Sequence, residues 1–216
     1  MSLTNELAEL KAQALSMIPE EAKEIIFADM DKLAKFGLVE GAPKEGENLK
    51  NFVLPNQNGE SRSLATLREN GPVVITFYRG GWCPYCNLEL RAYQQILSQI
   101  KATGATLIAI TPELPDESMS TMEKNELGFE VLTDVNSQYG KDIGIVFTIS
   151  EELRPIYASF GIELEKHNGE GQFDVPLPAT FVINTDGSIV CAFASVDYTQ
   201  RADPADVLKV LVSLNK

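Results

Sequence analysis

The sequence predicts an α/β domain whose mixed central sheet has helices on both faces, preceded by a helical extension. Two apolar, β-branched runs, VVITFY and ATLIAIT, are typical of strands buried on both faces, and a segment with helical periodicity follows each. Nearer the C-terminus, ATFVINTDGSIVCAFA has two apolar runs around Asp186-Gly187, which predicts an antiparallel hairpin. Strands that first alternate with helices and later pair with each other indicate a mixed sheet.

Residues 1–44 are predicted to be a helical extension of a domain that spans residues 45–216. Apolar residues recur at helical spacing over residues 4–17 and again after Pro19, and Gly37 suits a helix end. The charged, glycine-bearing segment that follows indicates a linker. We expect these helices to provide packing or dimer surface rather than a ligand site.

Turn residues and apolar periodicity predict the remaining elements. Asn58-Gly59 predicts a turn between two short strands, and Ser63 suits the N-cap of a short helix. Further predicted elements are, in chain order, the strand VVITFY, a helix from the CPYC motif to about residue 102, the strand 105–111, a helix near 116–127, the short strand FEVLTD, the hairpin and a C-terminal helix from Pro204. Residues 136–160 are predicted to be helical or irregular, and residues 161–176 a loop or a hairpin.

The composition disfavours several classes of partner and site. A net charge of −13 and a pI of about 4.5 disfavour binding to nucleic acid or to anionic membranes. We expect no secretory leader and no spanning helix, because neither a leader-like start nor a long apolar run is seen. Three cysteines are too few for a disulfide scaffold, which favours a reducing, cytoplasmic setting. No metal or other cofactor is expected.

Ten residues, FYRGGWCPYC at positions 77–86, hold two of the three cysteines and the only tryptophan. A CxxC motif directly after a buried strand of such a unit is typical of a thioredoxin-like redox site. Pro84 suits the first position of the following helix, so Cys83 is predicted at the N-cap, nearer to solvent. Cys86 is predicted to face the sheet, because it shares a helical stripe with Leu90, Tyr93, Leu97 and Ile100.

This placement predicts different roles for the two sulfurs. The N-terminal end of a helix stabilises a thiolate, so the pKa of Cys83 is predicted to lie below the usual thiol value. Gly80 and Gly81 are expected to leave space for a substrate, and Trp82 to shield one side of the site. Cys83 can then attack a disulfide or a peroxide, after which Cys86 closes the Cys83–Cys86 disulfide.

Three other interpretations of the motif are half of a zinc site, a Cys–His hydrolase that uses His167, and a redox-silent turn. A zinc site would need about two more ligands, and the chain offers only Cys191 and His167. Cys191 lies within an apolar strand and is predicted to be a buried, inert thiol. Pro178 cannot donate to a sheet ladder, so it is predicted to mark the start of the strand ATFVI.

The segment GPVVITFYRGGWCPYCNLEL resembles the active-site region of the peroxiredoxin-like branch of the alkyl hydroperoxide reductase / thiol-specific antioxidant (AhpC/TSA) family. The stretch NFVLPNQNGESRSL and the tail from LPATFVINTDGSIV to DYTQR are similar to the same branch, so the resemblance covers about residues 45–210. It implies a thioredoxin fold and thiol-dependent reduction of hydroperoxides, with the N-terminal helices as an extension common in that branch.

The resemblance also bears on single residues. Aligned with the family, Cys86 takes the place of the peroxidatic cysteine, Cys83 replaces an active-site threonine, and Pro178 stands where a peroxide-binding arginine is found. The same cysteines and Pro178 also resemble the thioredoxin layout, in which the first cysteine attacks. Helix geometry and this second likeness favour Cys83 as the nucleophile towards disulfides, whereas the peroxide-reactive sulfur stays open. Arg79 and Arg154 are candidates for the missing activating arginine, the alternative being a surface or sheet-edge arginine in each case.

The sequence thus predicts a thiol-dependent oxidoreductase that cycles Cys83 and Cys86 between dithiol and disulfide. The leading hypothesis is a peroxiredoxin-like antioxidant that reduces hydroperoxides. The alternatives are a protein disulfide reductase and a redox-inactive thioredoxin-fold binding module. We expect a hydroperoxide or disulfide substrate and a thiol electron donor from a thioredoxin or glutathione system.

Overall fold

The computed structural model describes residues 2–214 of the chain. Its helices are α1 (Leu3–Met17), α2 (Glu20–Phe36), α3 (Leu38–Gly41), α4 (Leu64–Arg68), α5 (Pro84–Ala102), α6 (Pro115–Lys124), α7 (Gln138–Asp142), α8 (Arg154–Ser159), α9 (Leu164–Asn168) and α10 (Pro204–Leu214). Its strands are β1 (Val53–Pro55), β2 (Ser61–Ser63), β3 (Val73–Phe77), β4 (Thr106–Thr111), β5 (Glu130–Thr133), β6 (Val146–Thr148), β7 (Asp174–Pro176), β8 (Ala179–Ile183) and β9 (Ile189–Ala194).

The central sheet has five strands in the order β5-β4-β3-β8-β9. β3, β4 and β5 run parallel, and β8 and β9 join them as an antiparallel hairpin on the other side of β3. This is the mixed sheet that the sequence predicts. β3 is buried at every position, as its unbroken run of apolar and β-branched residues indicates.

Two apolar cores lie on opposite faces of this sheet, because successive side chains of a strand point to opposite faces. Val74 packs with Leu90 of α5 and Leu211 of α10 on one face. Ile75 packs with Leu64 of α4 and other buried residues on the opposite face. The predicted helical stripe of α5 is confirmed, since Leu90, Tyr93, Leu97 and Ile100 are all buried.

The N-terminal helices pack against the rest of the chain. Ser2 caps α1 by accepting a hydrogen bond from the Asn5 N–H, and Gly37 ends α2 in the left-handed region with φ of 77°. Leu3 and Leu7 of α1 are buried in the core that contains α5. The division of the chain at residue 44 stays a prediction. Among residues 2–214, no helix is long and apolar enough to cross a membrane.

Three segments differ from the sequence predictions. The predicted linker after Gly37 contains the one-turn helix α3, residues 136–160 contain strand β6 and are not only helical or irregular, and residues 161–176 form helix α9 and strand β7 rather than only a loop or a hairpin. β7 pairs with β6, which lies far back in the chain at residues 146–148, so no local turn residue announces the pairing. The segment from β6 to β7, which includes α8, packs with α2 to form a third apolar cluster at the cysteine end of the sheet.

Candidate functional site

The CxxC motif lies where β3 gives way to α5. Pro84 is the first residue of α5 and Cys83 its N-cap, with extended backbone at φ −89° and ψ 112°. Cys86 faces the core one turn further on. All three placements agree with the sequence predictions, but the expected exposure of Cys83 is wrong. Both sulfur-bearing residues are 0% exposed, because aromatic side chains and the N-terminal helices cover the end of α5.

Instead of solvent, Cys83 faces a cavity of about 380 Å³. Its apolar wall includes residues from the N-terminal helices and from the segment before α8, notably Ile26, Met30, Leu33, Phe147 and Ile149. Cys83 is a lining residue, whereas Cys86 lies behind it. The N-terminal helices pack on the domain, as predicted, and α2 also forms one wall of the cavity.

Arg79 brings a positive charge to the Cys83 sulfur. Its side chain is 3% exposed, and Nη2 donates a hydrogen bond to Cys83 Sγ at 3.6 Å while Nη1 donates to the Tyr157 hydroxyl at 3.0 Å. The guanidinium carbon lies 5.1 Å from the Trp82 ring centroid and 4.6 Å from that of Tyr198. The alternative of a surface or sheet-edge arginine is thus excluded for Arg79.

Arg154, the other candidate arginine, does not line the cavity. Its guanidinium carbon lies 3.8 Å from the Phe173 ring centroid, and its Nε donates to the Ile149 carbonyl. Arg154 therefore belongs to the packing around α8 and not to the sulfur site.

The two thiols have opposite acidities. Burial alone would raise the pKa of Cys83, but the Cys86 thiol and the positive charges of Arg79 and Arg201 hold it well below the usual value. A smaller lowering effect comes from the Cys86 backbone N–H, although its geometry falls short of a capping hydrogen bond. Burial, the Cys83 thiol and the Cys83 charge raise the pKa of Cys86 well above the usual value. The predicted thiolate at Cys83 is therefore supported, with arginine charges as a principal cause.

Arg201, which no pattern in the sequence singles out, lies beside the second sulfur. Arg201 Nη2 donates to Cys86 Sγ at 3.1 Å, and Arg201 Nε donates to the Glu89 carboxylate. Both side chains of this ion pair are 0% exposed. The sequence contains one signal for it, a charged arginine in the DYTQR segment that follows the last strand, but nothing in that segment predicts contact with a cysteine.

The glycines before the motif serve close packing and not substrate space, which corrects the prediction for Gly80 and Gly81. A Cβ on Gly81 would lie 2.0 Å from Thr121 Oγ1, and one on Gly80 would lie 2.2 Å from the Trp82 indole nitrogen. The Gly81 N–H donates to Glu113 Oε1 at 2.8 Å. α6 and the loop before it therefore fix the backbone that leads to Cys83.

Of the other residues that the sequence singles out, Pro178 and Trp82 line the cavity and Cys191 does not. Pro178 precedes β8 as predicted and lines the cavity, with a trans peptide bond like every other described residue. Trp82 lines the cavity as well. Cys191 lies on β9 and is only partly buried, so its predicted full burial is wrong; burial, then the charges of Glu45 and Asp206, raises its pKa.

His167 and two carboxylates form a separate polar cluster. His167 Nδ1 lies 2.7 Å from Glu117 Oε2 and 3.8 Å from Glu113 Oε1, and ligand atoms of all three residues lie within 4.8 Å of one another. His167 belongs to α9 and is not a lining residue of the cavity, so the arrangement does not support a Cys–His hydrolase.

A cavity-facing cysteine of lowered pKa, with a second cysteine one helical turn behind it on an α/β scaffold, is the arrangement expected of a thiol-dependent oxidoreductase. A match to the family model described as "AhpC/TSA family" covers residues 46–192. The chain belongs to this family, as the resemblance in its sequence implies.

Individual relatives agree with this assignment. The chain is 28% identical over 127 residues to "Peroxiredoxin Q, chloroplastic" of Triticum aestivum. The aligned region covers 59% of this chain and 58% of the relative. It is 26% identical over 102 residues to "Peroxiredoxin Bcp" of Escherichia coli (strain K12), covering 47% and 65% respectively. The crystal structure of Peroxidoxin BcpB from Mycobacterium tuberculosis superposes with a TM-score of 0.63 at 20% identity, covering 80% of this chain and 99% of that one.

The fold is thus thioredoxin-like, and the chain is a thiol-dependent antioxidant oxidoreductase of the peroxiredoxin kind. Both predictions from the sequence are confirmed at this level.

Glu113 predicts a specific dependence of stability on pH. Burial, and then the charge of Glu117, raises the pKa of Glu113 to about 7 against the opposing effect of the Gly81 N–H. Between pH 4.5 and pH 7 the folded chain keeps a proton on Glu113 that the unfolded chain has lost. The stabilisation that is fully present below pH 4.5 is therefore lost as the pH rises through 7. Replacing Glu113 by Gln should remove this decline, which is on the order of 3 kcal/mol.

Urea unfolding followed by Trp82 fluorescence at several values between pH 4 and pH 8 measures the effect. Glu123→Gln, at an exposed position of α6, is the control and should keep the wild-type decline. An unchanged decline in Glu113→Gln would show that Glu113 is not the group responsible.

Proposed function

We propose that the chain reduces hydroperoxides with Cys83 as the attacking sulfur and Cys86 as the resolving sulfur. The observation that carries this assignment is that Cys83, and not Cys86, combines a lowered pKa with a place on the cavity wall. A thiolate is the reactive form of cysteine, and the sulfur that a substrate meets first is the one that attacks.

The reaction proceeds in two steps. The Cys83 thiolate attacks the terminal oxygen of the hydroperoxide and breaks the O–O bond, which leaves Cys83 as a sulfenic acid and releases an alkoxide that takes a proton to become an alcohol. The Cys86 thiolate then attacks the Cys83 sulfur and expels hydroxide, which is protonated to water. Two donor thiols return both electrons by thiol–disulfide exchange.

Arg79 takes the part of the activating arginine that is absent at Pro178. Its guanidinium lies beside both the Cys83 sulfur and the cavity, where it can hold the thiolate and then the developing negative charge on the peroxide oxygens. Trp82 and Tyr198, at either side, keep the guanidinium in place without neutralising it.

The cavity favours small organic hydroperoxides over protein disulfides. A hydroperoxide can enter the cavity that Cys83 lines, whereas a protein disulfide, like a protein thiol donor, reaches the motif only after the cover over Cys83 moves, since neither cysteine has exposed surface. The wall is largely apolar, so the favoured substrates carry an apolar group of modest size. We place the reaction in a reducing cytoplasm, with a thioredoxin or glutathione system as donor; a homodimer remains a prediction.

Single-cysteine variants test the assignment of the two sulfurs. Cys86→Ser should still convert one equivalent of peroxide and accumulate sulfenic acid on Cys83. Cys83→Ser should lose peroxide reduction by about 100-fold or more, because the remaining thiol lies behind the cavity wall. Mass spectrometry after a brief dose of cumene hydroperoxide measures both, with Cys191→Ser as the control that retains activity.

Sulfenic acid on Cys86 in Cys83→Ser, at the wild-type rate, would contradict the proposal and support the assignment that the family alignment implies. Reduction of insulin without any turnover of peroxide would instead identify a disulfide reductase.

A bulkier side chain at Met30 tests whether the cavity admits the substrate. Met30→Trp, on α2, reduces the space opposite Cys83 and should lower kcat/KM for cumene hydroperoxide by about tenfold, with hydrogen peroxide affected by less than about twofold. Lys35→Trp adds the same side chain to an exposed position of the same helix and should leave both substrates unchanged. Equal losses for both hydroperoxides in Met30→Trp would indicate that the cavity does not select the substrate.

A further inference from the structure

Arg201 is a second buried arginine of the sulfur site to which the mechanism above gives no task. Its residue exposure is 8%, and it approaches Cys86 from the segment between β9 and α10. Its Nη2 lies 3.1 Å from Cys86 Sγ, closer than Arg79 lies to Cys83 Sγ. Each sulfur of the motif therefore has an arginine of its own.

The guanidinium of Arg201 is fixed by partners on every nitrogen. Nε donates to Glu89, and Nη1 donates to the backbone carbonyls of Tyr198 and Gln200, both at 2.7 Å. The remaining nitrogen, Nη2, donates to Cys86. Because no nitrogen is free to turn elsewhere, the charge is in place before any reaction begins.

Glu89 is held just as firmly on its other side. Its Oε1 accepts a hydrogen bond from Thr76 Oγ1 at 3.0 Å, and Thr180 Oγ1 donates to Thr76 Oγ1 at 3.3 Å. Thr76 and Thr180 belong to the central strands β3 and β8, so the ion pair is anchored to the middle of the sheet. A buried ion pair adds little stability compared with apolar residues of the same size, so its presence here calls for a role other than stability.

The charges around Cys86 change when Cys83 reacts. In the reduced site a Cys83 thiolate repels a second negative charge on Cys86. Once Cys83 is a sulfenic acid or a mixed disulfide, its sulfur is neutral. The groups that then face Cys86 are Arg201, which is also paired with Glu89, the cation Arg79 and the phenol of Tyr78.

We infer that Arg201 is a catalytic residue for the steps in which Cys86 carries negative charge, and that Glu89 is the positioning residue that holds it there. In the resolving step the Cys86 thiolate attacks the Cys83 sulfenic sulfur, the S–O bond breaks and hydroxide leaves. In the reopening step a donor thiolate attacks Cys83 Sγ, the Cys83–Cys86 bond breaks and its electron pair passes to Cys86. This inference rests on the proposed function for the first step only, since the second needs a disulfide and a thiol but no peroxide.

Rapid-mixing fluorescence of Trp82, the only tryptophan, separates the steps. Arg201→Gln should slow the peroxide-independent phase, in which the disulfide forms, by about tenfold more than the peroxide-dependent phase. Glu89→Gln keeps the charge of Arg201 but weakens the hydrogen bond that positions it, so this variant should slow the same phase by a smaller factor. Arg201→Lys should recover part of the rate lost in Arg201→Gln. Arg154→Gln is the matched arginine control outside the cavity.

A single-thiol protein gives a readout that a purely structural role would not move. In Cys83→Ser/Cys191→Ser only Cys86 remains, and the ultraviolet absorbance of its thiolate reports its titration. Adding Arg201→Gln should raise the apparent pKa of Cys86 by about one unit or more. Reduction of the preformed Cys83–Cys86 disulfide by dithiothreitol should slow by about tenfold in Arg201→Gln, whether or not the protein turns over peroxide.

Two results would overturn the inference: equal slowing of both fluorescence phases, or an unchanged Cys86 titration in the single-thiol protein. If Arg201→Gln does not fold, the paired change Glu89→Leu/Arg201→Met replaces the ion pair by apolar side chains and serves in its place. Failure of the wild-type protein to reduce any hydroperoxide, with the dithiothreitol effect intact, would reject the proposed function and leave the role of Arg201 in reopening the disulfide standing.

Discussion

The charge of Arg79 is the constraint on which the sulfur site depends. A buried guanidinium is costly unless an anion or good hydrogen bonds compensate it. Within residues 2–214, no carboxylate lies within ion-pair distance of Arg79, and the groups that surround it are aromatic rings, the Tyr157 hydroxyl and the Cys83 sulfur. Cys83, whose pKa lies well below the usual value, is therefore the group that can balance Arg79 as an anion. The contact between Arg79 and Cys83 Sγ offsets the cost of burying the guanidinium, and it also stabilises a thiolate on Cys83.

The fold buries this contact, with Cys83 0% and Arg79 3% exposed. The N-terminal helices and the segment that leads to α8 close over the cysteine end of the sheet, and an interaction between charges is stronger in such surroundings than in water. Gly80 and Gly81 allow the chain to pass between Thr121 and the Trp82 ring, so that Cys83 lies directly against Arg79. The extension is thus a part of the site, although it lies outside the segment that the family model matches.

Local patterns in the sequence were sufficient to predict the sheet, the hairpin around Asp186-Gly187 and the long helix that carries Cys86. Buried strands, turn residues and helical stripes depend on neighbouring residues, so they are visible in sequence. The site itself depends on contacts between distant residues. Arg201 lies 115 positions from Cys86, and α2 reaches the cavity from the far end of the chain. No periodicity or spacing within either segment encodes those contacts.

The wrong prediction that Cys83 lies near solvent has the same origin, because its burial depends on contacts between distant residues. An N-cap residue is usually close to solvent, and only the docking of α2 and the pairing of β6 with β7 cover this one. Both events are tertiary, and the pairing joins residues on either side of α8 and α9. The prediction of a lowered Cys83 pKa nevertheless held in its direction, because the arginines supply the positive charge that the helix terminus alone was expected to provide.

The rate at which Cys83 reacts with iodoacetamide as a function of pH tests the pairing with Arg79 most directly. Peptide mass spectrometry can follow this residue alone in the wild-type protein and in Arg79→Gln, with Arg79→Lys as the variant that keeps the charge. We expect a wild-type midpoint well below that of an ordinary thiol, a rise of about one pKa unit or more in Arg79→Gln, and a smaller rise in Arg79→Lys. A wild-type midpoint near that of an unperturbed thiol, or the same midpoint in all three proteins, would contradict the account.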